Sequence, residues 1–304
     1  MMRTKLKHGI IIIVFIIIFL SLNYLYSYVE NNKSNNREET AWQENKHDLD
    51  YAFFGDSHVM NAIMPEYINN SYNFAIPGEG HIEIYYKIQK LIFEDNITIK
   101  NIVLQLDAHS FSEKLRAPDR TFNELNYYSG FVPLQDIAML REESIISILL
   151  KNKLMILGKG EDVVTYLIYR EALTPIHSGW INNSKTFDNE DKTKLANAKL
   201  ETHFNEERSM DNISQIYFDK ILNLAEQNNI SIIIIRYPVS EEYYSEIQDI
   251  KVDVDYDYHD MFFNDTKMFG DSDHLNWKGA EVFSKFINQK NSLCSIFSNT
   301  CRNI

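Results

Sequence analysis

Three stretches constrain this chain most: Leu49–Phe54 (LDYAFF), Asn101–Leu106 (NIVLQL) and Ile230–Tyr237 (ISIIIIRY). Each is largely apolar in consecutive positions and is bounded by polar turn residues. A strand wet on one face alternates apolar with polar. A continuous apolar run needs cover on both faces, as in a parallel sheet. Between these runs the apolar residues recur at helical spacing, over His81 to Phe93 and Ile213 to Gln227. Further helices are expected from Val59 to about Ile68, over Glu241–Ile247 and over Trp277–Asn288. Short strands are expected at Asn70–Ala75 and Val252–Tyr256. Strands alternating with helices imply an α/β fold, a three-layer, doubly wound parallel sheet. The ligand site of such a sheet lies beyond the carboxyl ends of its strands.

The alternation occupies residues 49–290 and is broken once. Residues 111–208 mix charged stretches with short helical patterns, such as Ile137 to Leu154 and Val163 to Tyr169, and read as a helical insertion. Ahead of the domain, Gly9 to Val29 carries no charge and is dense in Ile, Leu and Phe. About 21 such residues suffice to span a bilayer as a helix. Arg3, Lys5 and Lys7 precede it, and mixed charges follow. The positive-inside rule then puts residues 1–8 in the cytoplasm, 9–29 in the membrane and the domain outside, on a polar linker of residues 30–48. A cleaved signal peptide would export the domain equally, but no small-residue cleavage site precedes the polar stretch. The tail, residues 291–304, holds the two cysteines, Cys294 and Cys301, which form a small-loop disulfide or stay as free thiols.

A formal net charge of -13 with no basic stripe beyond the N-terminus argues against a nucleic-acid partner. There is no internal repeat, dinucleotide fingerprint, P-loop or zinc-type cysteine spacing.

The polar turns after the strands carry the chemistry-bearing residues. Gly55-Asp56-Ser57-His58 follows the first strand, Ile76-Pro77-Gly78-Glu79-Gly80 the second, and Asp107-Ala108-His109-Ser110 the third. Near the C-terminus Asp271-Ser272-Asp273-His274 precedes the last helix, for which Asn276 is a candidate cap. An Asp three residues before a His in a turn can hold Nδ1 and leave Nε2 free to take a proton from a serine. Taken singly, each string has a plainer reading, as a helix cap or a polar turn.

Together the strings resemble the SGNH (GDSL-type) hydrolase superfamily. Gly55-Asp56-Ser57 is similar to its first block, Asn73–Gly78 to its second and Asp271-x-x-His274 to its fifth. The resemblance covers roughly residues 49–110 and 210–290. It implies Ser57 as nucleophile, His274 as base and Asp271 as its orienting carboxylate. It also implies an oxyanion hole from the backbone N–H groups of Ser57 and Gly78. The third block of the family reads GxND; here His109 takes the place of its Asn, and a neutral imidazole N–H can donate to an oxyanion. Asp56, His58 and Asp107 are supporting candidates. No cofactor or metal is implied. An exported, anchored domain with a GDSH turn resembles the members that acylate or deacylate cell-envelope glycans. The partners so implied are an acyl ester or glycan substrate, the membrane and a membrane-bound acyl donor.

Two other classes fit parts of the pattern. A metal-dependent phosphoesterase could draw ligands from Asp56, His58, Asp107, His109 and His274, although the motif order is reversed from that of the calcineurin-like enzymes. A catalytically degenerate glycan-binding domain would explain the altered third block. The alternation Asp253-x-Asp255-x-Asp257 reads as the solvent-facing side of a strand.

Overall fold

The computed structural model describes residues 10, 12–24, 48–122, 125–128, 130–153, 187, 192–204 and 209–289. They fall into two compact units, one drawn from residues 1–40 and 125–173, the other from 41–124 and 174–304.

The larger unit holds a five-stranded sheet of order β2-β1-β3-β4-β5, with every pair parallel. The strands are β1 (Asp48–Phe54), β2 (Ser71–Asn73), β3 (Thr98–Gln105), β4 (Ser231–Arg236) and β5 (Tyr256–Asp257). Helices α1 (Ser57–Ala62) and α2 (His81–Phe93) follow β1 and β2. α6 (Lys192–His203) and α7 (Asn212–Gln227) precede β4, α8 (Glu241–Ser245) follows it, and α9 (Trp277–Gln289) ends the described chain. Phe53, Val103, Ile233 and Ile235 pack on one face with Val59 of α1 and Phe283 of α9. Ala52, Phe54, Ile102 and Leu104 pack on the other with Ile84 and Ile88 of α2 and Ile221 of α7. Both faces are therefore covered, which is why the strand sequences are continuous apolar runs. The expected α/β class with a parallel sheet is observed. The sheet order reverses between β1 and β3, the switch point at which ligand crevices open in such folds.

Several boundaries differ from expectation. The helix after β1 stops at Ala62 instead of continuing to about Ile68. Pro65 disfavours helical backbone just before it. Ile63 is extended (φ -108, ψ 116), and Pro65–Tyr67 forms a separate 3-10 turn. The fifth strand is confined to Tyr256–Asp257. Ahead of it, Asp253, Asp255 and Asp257 are exposed and alternate with half-buried Val252, Val254 and Tyr256, the arrangement expected of a solvated side. Within the stretch read as an insertion, α6 belongs to the larger unit. Its Ala196 and Leu200 pack with Ala108, Val239 and Tyr243 at the carboxyl end of the sheet.

In the smaller unit, residues 12–24 are helical and Leu125–Tyr128 (α3) forms one turn. α4 (Leu134–Leu140) and α5 (Ile145–Lys153) replace the single helical run read over Ile137 to Leu154. Glu142 adopts φ 54, which ends α4, and Ser144 Oγ accepts from the Ser147 amide at the start of α5. Helix 12–24 exposes Ile12, Phe15, Ile17, Leu20 and Leu22. No helix among the described residues is long and apolar enough to cross a membrane. The ends of the 9–29 segment, most of the linker, the Val163–Tyr169 pattern and both cysteines lie outside the described residues.

Candidate active site

Gly55 directly follows β1 and is crowded by the side chains of Gln105 and Val59. A Cβ there would overlap Gln105 Oε1 and Val59 Cγ2, so only glycine fits. Gln105 is the last residue of β3. Its Oε1 accepts from the Asp56 amide at 2.8 Å, and its Nε2 donates to Asp107 Oδ2 at 2.6 Å. One side chain thus ties the turn after β1 to the turn after β3. Asp56 caps α1, its Oδ1 accepting the His58 amide at 2.8 Å, and Ser57 is the first residue of that helix. Asn73, at the end of β2, donates to the carbonyls of Val59 and Ile63 and accepts from the Ala75 amide. It fixes the end of α1 against the chain that leads to Gly78.

The loop before α9 is equally constrained. Asn276 Nδ2 donates to the carbonyls of Lys267 and Phe269, and its Oδ1 accepts from the amides of Lys278 and Gly279. It is the cap expected from the sequence. Asp271 Oδ1 accepts the amides of Asp273 (3.2 Å) and His274 (2.9 Å), a local turn of the Asx kind. The turn sets His274 Nδ1 at 2.9 and 3.0 Å from the two Asp271 carboxylate oxygens. His274 Nε2 then lies 2.7 Å from Ser57 Oγ. With Nδ1 donating to Asp271, Nε2 is the accepting nitrogen, and the serine proton has a base within reach.

A buried layer of charge adjoins this line. His58 Nδ1 lies 2.8 Å from Asp107 Oδ2, and His109 Nε2 lies 2.7 Å from Asp56 Oδ2. His58 Nε2 is 3.3 Å from Asp273 Oδ2, and His203 Nε2 is 3.7 Å from the same oxygen. His203 Nδ1 pairs with the Tyr243 hydroxyl at 2.6 Å. Lys199 Nζ sits 3.3 Å from Asp271 Oδ2, 3.2 Å from Asp273 Oδ1 and 3.4 Å from His274 Nδ1. His109 stacks on His203, with ring centroids 4.4 Å apart.

Burial alone would neutralise these groups, and for all but His203 the neighbours decide otherwise. Burial raises the Asp56 carboxyl, but His58 and His109 more than offset it and hold Asp56 well below its usual range. Burial also lowers His58, yet Asp56, Asp107 and Asp273 hold its imidazolium well above 6.5. Burial raises Asp273 too, and His274, His58 and His203 outweigh it. For His203 burial and the facing His109 act together and keep the ring neutral, well below 6.5. Burial opposes the Lys199 charge, but Asp273 and Asp271 raise it.

The structure therefore brings Ser57, His274 and Asp271 into one hydrogen-bonded line. It gathers Asp56, His58, Asp107 and His109 in the adjoining layer. Gly78 lies in the turn after β2 with φ 77, a conformation that favours glycine. For His109 the structure shows an occupation other than free donation to an oxyanion. Nε2 is committed to Asp56, and Nδ1 is buried without a partner among the described residues. Five participants were not read from the sequence: Gln105, Lys199, His203, Tyr243 and Asp273. Asp273 stood in view, next to His274. Lys199 and His203 lie on α6, in a stretch with no pattern to draw attention to them. No family model matches the chain, and none of the curated proteins matches it either.

Proposed function

We propose that this chain is a membrane-anchored, extracytoplasmic serine esterase or O-acyltransferase acting on acyl esters of a cell-envelope polysaccharide. The observation that carries the chemistry is the Ser57–His274–Asp271 line, closed by a 2.7 Å contact between side chains 217 residues apart. The sheet order and the position of Ser57 beyond the end of β1, at the switch point, support the SGNH-type reading. The exposed apolar side chains of helix 12–24 support the anchor.

In this mechanism Ser57 Oγ attacks the ester carbonyl while His274 Nε2 takes its proton. Asp271 holds Nδ1 and stabilises the imidazolium that forms. The backbone N–H groups of Ser57 and Gly78 receive the oxyanion. Collapse of the tetrahedral intermediate releases the alcohol, which takes the proton from Nε2, and leaves an acyl ester on Ser57. Water or a glycan hydroxyl then attacks that ester, again deprotonated by His274, and frees the serine.

A serine-directed fluorophosphonate tests the reading. Labelling of the full chain, lost in Ser57→Ala and His274→Ala, is the expected result. Failure of the folded wild-type chain to label, with hydrolysis that depends on added Mn²⁺ or Zn²⁺, overturns it in favour of a metal-dependent phosphoesterase. Glycan binding with neither leaves a binding domain. Comparing ester-linked acetyl and alanyl groups on envelope glycans of wild-type and Ser57→Ala cells tests the substrate class; no difference overturns that part.

A further inference from the structure

Three histidines lie together in the interior, His58, His109 and His203, at 2%, 1% and 8% exposure. One nitrogen from each falls within 4.8 Å of the others. Their remaining nitrogens are accounted for. His58 Nδ1 faces Asp107, His109 Nε2 faces Asp56, and His203 Nδ1 faces the Tyr243 hydroxyl. The nitrogens outside those three contacts are Nε2 of His58, Nδ1 of His109 and Nε2 of His203, and the Asp273 carboxylate lies beside the cluster. Asp273 Oδ2 is 3.3 Å from His58 Nε2 and 3.7 Å from His203 Nε2.

Two features go beyond proximity. His109 Nδ1 is fully buried and has no hydrogen-bond partner among the described residues, a costly state for a ring nitrogen unless a ligand engages it. Each histidine is also braced from behind by an oxygen: two carboxylates and a phenol. That is how metal-bound imidazoles are held, with the non-ligating N–H donated outward to fix the tautomer and raise the basicity of the ligand.

We infer that His58, His109, His203 and Asp273 form a binding site for one first-row divalent transition-metal ion, with zinc the ion best suited to three imidazoles and a carboxylate. The surroundings favour a cation. Asp56, Asp107 and Asp273 are all buried, and a divalent cation offsets their charge. Binding asks the His109 and His203 rings, now 20° from parallel, to turn so that their lone pairs converge. The site stands whether or not Ser57 is a nucleophile, and it adjoins the triad through Asp273, whose Oδ1 lies 3.4 Å from His274 Nδ1.

The test is titration of the metal-stripped full chain in detergent with CoCl₂, followed by visible absorption, with ZnCl₂ as competitor. The expected result is one equivalent of cobalt in a low-symmetry, intensely absorbing site, displaced by zinc. His109→Ala and His203→Ala abolish it, and Ser57→Ala leaves it intact while removing fluorophosphonate labelling. Tyr243→Phe, which keeps the ring and removes only the hydroxyl behind His203, weakens binding about tenfold. Absence of stoichiometric binding by the folded wild-type chain overturns the inference. So does unchanged binding in a folded His109→Ala/His203→Ala variant. Should the histidine variants not fold, unweakened binding in Tyr243→Phe overturns it.

Discussion

Lys87 offers a test that separates the scaffold of the site from its chemistry. It lies in α2, and its Nζ donates to the Phe74 carbonyl at 2.7 Å and reaches the Glu79 carboxylate at 2.5 Å. The two side chains are 1% and 2% exposed. Phe74 and Glu79 bracket the short loop that carries Gly78, so one ammonium pins both ends of the proposed oxyanion loop. Lys87→Met keeps the aliphatic stem and its packing but leaves a buried carboxylate without this counter-charge. Breaking a buried pair from one side costs about 3–5 kcal/mol. With a urea m-value of about 2–3 kcal/mol/M, the unfolding midpoint falls by about 1–2.5 M. Removing both charges, in Lys87→Met/Glu79→Gln, recovers at least half of that loss, because the stranded carboxylate is gone. The loop ends remain unpinned in the double variant, so its fluorophosphonate labelling stays about ten- to a hundredfold slower than wild type despite the recovered stability. A single-variant cost below about 1 kcal/mol, or strictly additive losses in the double variant, refutes the argument that this pair is a desolvated clamp.

Three further outcomes are expected. Asp271→Asn lowers turnover of an activated ester by about 10⁴-fold, because an amide no longer fixes the His274 tautomer; if the rate is retained, Asp273 rather than Asp271 orients the base. Gly55→Ala destabilises the fold by about 1–3 kcal/mol through overlap with Gln105 and Val59, and a neutral result in urea unfolding contradicts that crowding. His81 is packed against Phe111 and Phe218, and burial lowers its pKa from 6.5 to about 4. Its folded pKa is depressed, so its contribution is fully present above about pH 6.5 and is lost as pH falls toward about 4, a swing of about 3 kcal/mol. His81→Phe should therefore show a shallower fall in stability over that window than wild type, and parallel profiles refute it.

Much of the fold could be read in the sequence because burial on both faces leaves a local mark. The β1, β3 and β4 runs are apolar in consecutive positions, and α2 and α7 carry one apolar stripe each. What could not be read depends on contacts distant in sequence. The end of the helix after Ser57 is an exception in part: Pro65 is a stop written locally, while Asn73, which takes up the carbonyls of Val59 and Ile63, acts from the end of β2. The helical stretch of the insertion gives no sign that Ala196 and Leu200 will cap the carboxyl end of the sheet. With them, α6 delivers Lys199 and His203 to the site.

The buried layer beside Ser57 follows from topology combined with a repeated triplet. β1 and β3 are parallel neighbours, with Phe54 opposite Leu104, and each is followed by Asp-x-His: Asp56-Ser57-His58 and Asp107-Ala108-His109. Triplets leaving adjacent parallel strands in the same direction come out side by side. In each triplet one carboxylate oxygen of the Asp is already engaged. Asp56 Oδ1 accepts the His58 amide at the cap of α1, and Asp107 Oδ1 accepts the Tyr237 amide. The histidines therefore pair across the gap, His58 with Asp107 and His109 with Asp56. The crossed pairing satisfies both carboxylates in the interior and leaves one nitrogen of each ring facing inward. The same Asp-x-His repeat that holds the Ser57 turn against β3 thus also creates the cluster that the third histidine, His203, completes. A spacing that looks like two unrelated turns in the sequence becomes one charge-balanced array once the strands are known to be parallel neighbours.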